Sequence, residues 1–277
     1  MNWLLIDEKI KYWLIEDMRN GDITTDSLID EEAVSTGRFI AKAEGVIAGI
    51  EIVKRVFFLL DNSLVFDAHI SDGKRVKKGD VVATISGKTR GILYGERLAL
   101  NILQKLSGIA TQTAHFVDCL NGRKVRIIET RKTTPGMRML EKYAVKVGGG
   151  SNHRFDLSEA VLIKDNHIAA SGSITEAVAR ARENIPHTMT IEIEVESLDG
   201  LKEAIAAGAD IIMLDNMSVP MMKEAVVLNN KRAILEASGN VSLENVCEIA
   251  DTGVEIISVG SITHSVKALD ISLRFKY

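Results

Sequence analysis

The chain has 277 residues, 46% of them hydrophobic and 26% charged, and its 34 lysines and arginines against 38 acids leave a formal charge of −4. That composition supports a real core in one large domain or two and excludes general nucleic-acid binding, since no basic stripe with interleaved aromatics occurs. No apolar run approaches the ~18 residues of a membrane span, and two distant cysteines, Cys119 and Cys247, exclude a disulfide framework and argue against structural zinc, so a cytoplasmic protein is expected.

The opening MNWLLIDEKIKYWLIEDM is interrupted by Asp7, Glu8, Lys9, Lys11, Glu16 and Asp17 and has no small-residue cleavage site. It reads as an amphipathic helix over about 5–18, not a signal peptide. GDITTDSL then reads as a loop. Strands are expected at 36–43 and 64–70, with a helix over 50–60 between them. The stretch SDGKRVKKGDVVATISGKTRGIL has a hairpin rhythm, with Asp72-Gly73 and Gly79-Asp80 as turn dipeptides. It has some likeness to half a lipoyl or biotinyl carrier. No lysine sits in the acidic turn where such a cofactor is attached, so the segment is read as structural.

A long helix is expected over 94–120, with Leu98, Ile102, Leu106 and Ile109 at three- and four-residue spacing. Beyond it the rhythm changes. Short β-branched runs at 125–130, 160–164, 190–195, 210–214, 233–237 and 255–259 alternate with helices at about 173–183, 198–207, 220–228, 243–252 and 264–269. Such alternation with apolar strands predicts a parallel sheet. Six or more units in about 150 residues predict a closed or nearly closed α/β barrel.

Charge is distributed unevenly over this scaffold. Between Arg131 and Lys164 seven basic residues face three acids, so the window is +4 in a chain that is −4. Gathered around Gly148-Gly149-Gly150, that charge reads as a pocket for a small, heavily anionic ligand. In α/β barrels the active site lies at the carboxyl ends of the strands. Those ends here carry Arg131-Lys132, Lys164 with Asp165-Asn166-His167, Glu194, Asp215-Asn216, Ser238-Gly239-Asn240 and Gly260-Ser261. They divide into cations, two acids and two small-residue turns.

Each group has a physical assignment. Arg131, Arg154 and Lys164, with His153 nearby, can hold carboxylates, and a guanidinium fork does so bidentately. Ser238-Gly239 and Gly260-Ser261, each taken to precede a helix, suit a phosphate. Glu194 and Asp215 suit ribose hydroxyls, a magnesium ion or a developing positive charge. Strand parity puts Glu192, Glu194 and Glu196 on one face, so it does not single out Glu194, and the other two read as structural ion-pair residues. His115 and His187 receive no role.

ETRKTTPGMRMLEKYAVKVGGGSNHRFDLSEAVLIKDNHI resembles the central signature of the quinolinate phosphoribosyltransferases. IEDMRNGDITT, GERLALNILQKLSGIAT, IEIEVES, IIMLDNMS, LEASGNV and ISVGSITHSVKALDISLRF fit the family in order, so the resemblance covers essentially the whole chain. It implies an α/β fold: an amino-terminal α/β sandwich domain over 1–107, joined by 266–277, plus a barrel of six to seven parallel strands over 108–265. It implies a homodimer, and a reaction of quinolinate with phosphoribosyl pyrophosphate that needs magnesium and gives nicotinate mononucleotide, carbon dioxide and pyrophosphate in de novo NAD synthesis.

Carried over by position, Arg131, His153, Arg154 and Lys164 resemble the quinolinate-binding residues, and Thr130 and His167 are further substrate positions. Lys132 matches a catalytic lysine near the pyrophosphate or the reacting ring. Glu194 and Asp215 match the catalytic acids beside ribose and metal, which they meet directly or through other ligands. Ser238, Gly239, Asn240, Val259, Gly260 and Ser261 match the 5′-phosphate turns; some members have Gly at the position of Asn240. Arg97, by itself an ordinary helix-surface charge, resembles an arginine donated from the neighbouring subunit. The order of phosphoribosyl transfer and decarboxylation stays open. Two rivals stand beside this reading: a related pyrophosphorylase with another substrate, and a non-catalytic phosphoribosyl-pyrophosphate-binding regulator.

Overall fold

The computed structural model describes residues 1–275. In chain order its elements are α1 (Trp3–Asp17), α2 (Ile23–Leu28), β1 (Val34–Ala41), β2 (Gly45–Val46), α3 (Ile50–Leu60), β3 (Val65–Ala68), β4 (Arg75–Val76), β5 (Val81–Lys88) and α4 (Thr89–Leu120). There follow β6 (Arg126–Ile128), α5 (Arg138–Val147), β7 (Val161–Ile163), α6 (Asp165–Ser171), α7 (Ile174–Asn184), β8 (Ile191–Val195), α8 (Leu198–Ala207), β9 (Ile211–Asp215) and α9 (Val219–Asn229). The last are β10 (Ile234–Ser238), α10 (Val246–Ala250), β11 (Ile256–Ser258), α11 (Ser261–His264) and β12 (Ile271–Phe275). Contacts divide the chain into one unit of Met1–Gln112, Thr134–Gly149 and the residues from Val266 onward, and a second of Thr113–Thr133 and Gly150–Ser265. Of the segment 266–277 expected to join the amino-terminal domain, Lys276 and Tyr277 lie outside the described residues.

The first unit is built on an antiparallel sheet in the order β12-β1-β5-β3. Phe39, Phe57 and Phe66 meet at its core with ring centroids about 6 Å apart. Helix α3 starts at Gly49, whose φ of 106° is left-handed and whose missing Cβ makes room for Leu106. Asp72 caps that helix: its carboxylate accepts from the Gly49 and Ile50 amides at 2.8 and 3.0 Å and from the Tyr143 hydroxyl at 2.6 Å. Burial, and then the hydrogen bond to Asp72, push the Tyr143 phenol far above its ordinary pKa.

The second unit holds a six-stranded parallel sheet in the order β6-β11-β10-β9-β8-β7. Its strands are buried nearly continuously (Ile212, Met213 and Leu214 in β9; Leu235, Glu236 and Ala237 in β10), as strands covered on both faces must be. Ser173, Ser197 and Ser218 each accept from a first-turn amide and so start α7, α8 and α9. The expected α/β class, with a small antiparallel first sheet and a parallel second one, is the observed one, and among the described residues the six strands leave β6 and β7 as edges that do not pair with each other.

Three local expectations are corrected. GDITTDSL is not a loop: Asp22 accepts from the Thr25 amide and opens the short helix α2. The helix expected at 264–269 is instead the single turn α11, and the apolar alternation after it forms β12, paired with β1 from Gly37↔Phe275 to Ala41↔Ile271. The basic window is not one pocket either: Arg138, Lys142 and Lys146 are residues of α5 and are not among those that line the cavity at the carboxyl ends of the parallel strands.

Candidate active site

The carboxyl ends of the parallel strands open into one cavity of about 770 Å³. Thr130, Arg131 and Lys132 reach it after β6, Lys164 after β7, Glu194 from β8, Asp215 from β9, and the turns Ser238-Gly239-Asn240 and Val259-Gly260-Ser261 after β10 and β11. His153 and Arg154 join them from the loop before β7. Parity decides which side chains enter: Met213 and Asp215 line the cavity while Ile212 and Leu214, one step out of phase, are buried elsewhere.

Two of the sequence-predicted positions lie outside this chain's own cavity lining. Arg97 is an exposed residue of α4 and is not in the cavity lining. His167 also lies outside the lining; its Nδ1 accepts from the Lys164 amide at 3.0 Å and so fixes the start of α6. Conversely, the lining includes Asn216, Ser258 and His264, which sequence reasoning did not select. Asn216 could have been suspected, because Asn tolerates the left-handed backbone that it adopts here at φ 53°.

The electrostatics of the cavity are arranged in pairs. Lys164 Nζ lies 2.6 Å from Glu194 Oε2, so one cation and one acid are held side by side at the rim. Arg154 donates from Nη1 to the Ala160 carbonyl at 2.8 Å. Burial, and next the neighbouring Arg131, lower the pKa of the Arg154 guanidinium from its ordinary value. The Nε atoms of both Arg131 and Arg154 are buried without a hydrogen-bond partner. Arg131 and Arg154 both line the cavity, and two guanidinium groups side by side in one lining are complementary to an incoming carboxylate.

The phosphate-type turns are shaped by sterics. Gly239 has φ +90°, and a Cβ there would overlap Asn216, whose side-chain Oδ1 in turn accepts from Asn240 Nδ2 at 3.1 Å. Gly260 is hemmed in by His264 and the Lys132 side chain. The Thr263 hydroxyl donates to the Lys132 carbonyl at 2.9 Å and ties the β6 end to α11. Contrary to the sequence reading, Ser238-Gly239 does not run directly into a helix, since α10 begins only at Val246.

Beneath the lining lies a group that the sequence did not reveal. Glu129, Glu192 and Glu236 are almost fully buried. Glu129 accepts from Asn152 Nδ2 at 3.0 Å and from the His153 amide at 3.2 Å, and His153 Nε2 lies 3.3 Å from Glu192 Oε2. Burial, and next the charge of Glu192, push the Glu236 carboxyl up to about 8, so it is protonated at neutral pH. His153, Glu192 and Glu236 are close enough to hold a metal, but their layer is outside the cavity lining apart from His153. The acids expected to meet magnesium, Glu194 and Asp215, do line the cavity and offer the hard oxygen ligands that ion takes.

Fold and site together define a barrel phosphoribosyltransferase. The chain matches the N-terminal domain family of quinolinate phosphoribosyl transferase over residues 22–107 and the C-terminal domain family over 109–274. It is 46% identical, over 99% of its length and 94% of the relative's, to the "probable nicotinate-nucleotide pyrophosphorylase (carboxylating)" of Bacillus subtilis strain 168. It is 42% identical to the nicotinate-nucleotide pyrophosphorylase (carboxylating) of Mycobacterium leprae, over 96% and 95%. NadC from Streptococcus pyogenes superimposes with a TM-score of 0.96 at 44% identity, covering 100% of this chain and 98% of that one. The chain belongs to the quinolinate phosphoribosyltransferase family.

Proposed function

We propose that this protein transfers the phosphoribosyl group of phosphoribosyl pyrophosphate to the ring nitrogen of quinolinate. The adjacent carboxylate leaves as carbon dioxide, and nicotinate mononucleotide and pyrophosphate are the other products, a step of de novo NAD synthesis in the cytoplasm. The observation that carries this reading is convergence: Arg131, His153, Arg154 and Lys164, two acids and two glycine turns line one cavity.

In this reading Arg131, Arg154, His153 and Lys164 bind the two carboxylates and aim the ring nitrogen, while the turns at Ser238–Asn240 and Val259–Ser261 hold the 5′-phosphate. Lys132, at the cavity mouth, faces the pyrophosphate or the ring. Glu194 and Asp215 face the ribose and favour the positive charge that grows at the anomeric carbon as pyrophosphate departs. They would also hold magnesium, directly or through water, and the ion would supply charge neutralisation for the leaving pyrophosphate. The positive charge gained by the ring nitrogen stabilises the carbanion left when the neighbouring carboxylate is lost, and a proton then replaces it. The working form is a homodimer in which Arg97 is donated to the cavity of the other subunit.

The test is a spectrophotometric assay of purified protein with phosphoribosyl pyrophosphate, magnesium and either quinolinate or nicotinic acid. Nicotinate mononucleotide is expected from quinolinate and not from nicotinic acid. No product from saturating quinolinate would refute the assignment in favour of a related pyrophosphorylase.

A further inference from the structure

Among the described residues of the second unit, the buried acids are Glu129, Glu192 and Glu236. They come from every other strand of the sheet: Glu129 directly follows β6, Glu236 is in β10 and Glu192 is in β8. Alternate strands of a barrel build one interior layer, and bulky apolar side chains normally fill it. Buried carboxyls in that layer are costly and stabilise poorly, so packing alone does not account for them. None lines the cavity, yet two of them grip the loop that brings His153 and Arg154 to it.

The grip is specific. Glu129 holds the Asn152 side chain and the His153 amide. The Arg154 amide donates to His153 Nδ1 at 2.7 Å, which leaves the ring proton on Nε2, facing Glu192 Oε2 at 3.3 Å. The imidazole is therefore clamped between the backbone amide of Arg154 and the carboxylate of Glu192.

We propose that Glu192, assisted by Glu129, is a positioning residue for recognition of the dicarboxylic acid: it acts through His153 on Arg154 and never touches the ligand. This rests on the quinolinate reading given above. Because the role is that of a hydrogen-bond acceptor, a neutral amide should serve where an alkyl group would not.

The experiment compares Glu192→Gln with Glu192→Leu in the full-length protein, varying quinolinate and phosphoribosyl pyrophosphate separately. Glu192→Leu should raise the KM for quinolinate at least tenfold and leave that for phosphoribosyl pyrophosphate within twofold. Glu192→Gln should recover most of the loss. The ring-nitrogen NMR shifts of His153 should report a proton on Nε2 in the wild type and in Glu192→Gln, and a redistributed one in Glu192→Leu. An unchanged quinolinate KM in Glu192→Leu, parallel rises for both substrates, or a glutamine variant as impaired as the leucine one would each overturn the proposal. If the Glu192 variants do not fold, Glu129→Gln and Glu129→Leu carry the same comparison. If the wild type itself fails to turn over quinolinate, the function is wrong, and the NMR comparison still decides whether Glu192 orients His153.

Discussion

Gly239 packs so tightly beneath Asn216 that a Cβ at position 239 would fall only 3.0 Å from the Asn216 backbone nitrogen and collide with its side chain. Its φ of +90° adds a second obstacle to any other residue. Gly239→Ala should lower stability by about 1–3 kcal/mol, the usual cost of a strained backbone position. It should also weaken phosphoribosyl pyrophosphate more than quinolinate. Urea unfolding together with separate KM values for the two substrates checks both; a variant equal to wild type in each would show that the turn tolerates a side chain.

Arg154 offers a partly desolvated fork with one donor, Nη1, already committed to the Ala160 carbonyl. Arg154→Ala should cost about 2–4 kcal/mol in kcat/KM for quinolinate, as truncation of a buried charged hydrogen-bonding group does. Arg154→Lys should recover little of it, because an ammonium does not reproduce the planar fork. Near-normal kcat/KM in the alanine variant would remove Arg154 from the binding set.

Glu236 makes stability depend on pH in a definite direction. Its carboxyl titrates at about 8 in the folded chain against an ordinary 4.5, so between those values the folded state keeps a proton that the unfolded state has released. That contribution is fully present below pH 4.5 and is lost as pH rises toward 8, at up to about 1.4 kcal/mol per unit. In Glu236→Gln this part of the slope should vanish. Unfolding free energies at pH 5, 6.5 and 8 measure it, and equal slopes in the two proteins would contradict the assignment.

In the first unit, Asp72 satisfies both leading amides of α3 and the Tyr143 hydroxyl. Asp72→Ala should lose about 1–2 kcal/mol of stability, in the range of a lost helix cap with an orphaned partner. Thermal melts beside Tyr143→Phe separate the two parts: the phenylalanine variant should lose less. An equal loss would place the energy in the tyrosine contact instead of the cap.

How legible this was differs by level. The strand ends could be read because a parallel strand is an uninterrupted apolar run, and the polar residues closing it are conspicuous. Arg131, Lys164 and Asp215 were found in that way, whereas Glu194 lies inside its strand between two other glutamates. Depth was not legible. Parity correctly put Glu192 and Glu194 on one face, yet only the structure shows one sealed below the cavity and the other at its rim. Ion pairing was the expected role for Glu192, and its partner, His153, comes from a distant loop that no local pattern could indicate. Short elements failed for a related reason: α2 and α11 are six and four residues long, too short to show a helical period, and β12 is defined by its pairing with β1.

That last pairing bears on how the chain is made. β1 and the strand β12 that completes its sheet are separated in the chain by every strand of the second unit. A ribosome-bound chain can assemble every strand of the second unit while β1 still has one side open. The first unit, begun before the second, is thus closed only after it, and until β12 emerges it presents an unpaired edge of the kind that recruits other strands.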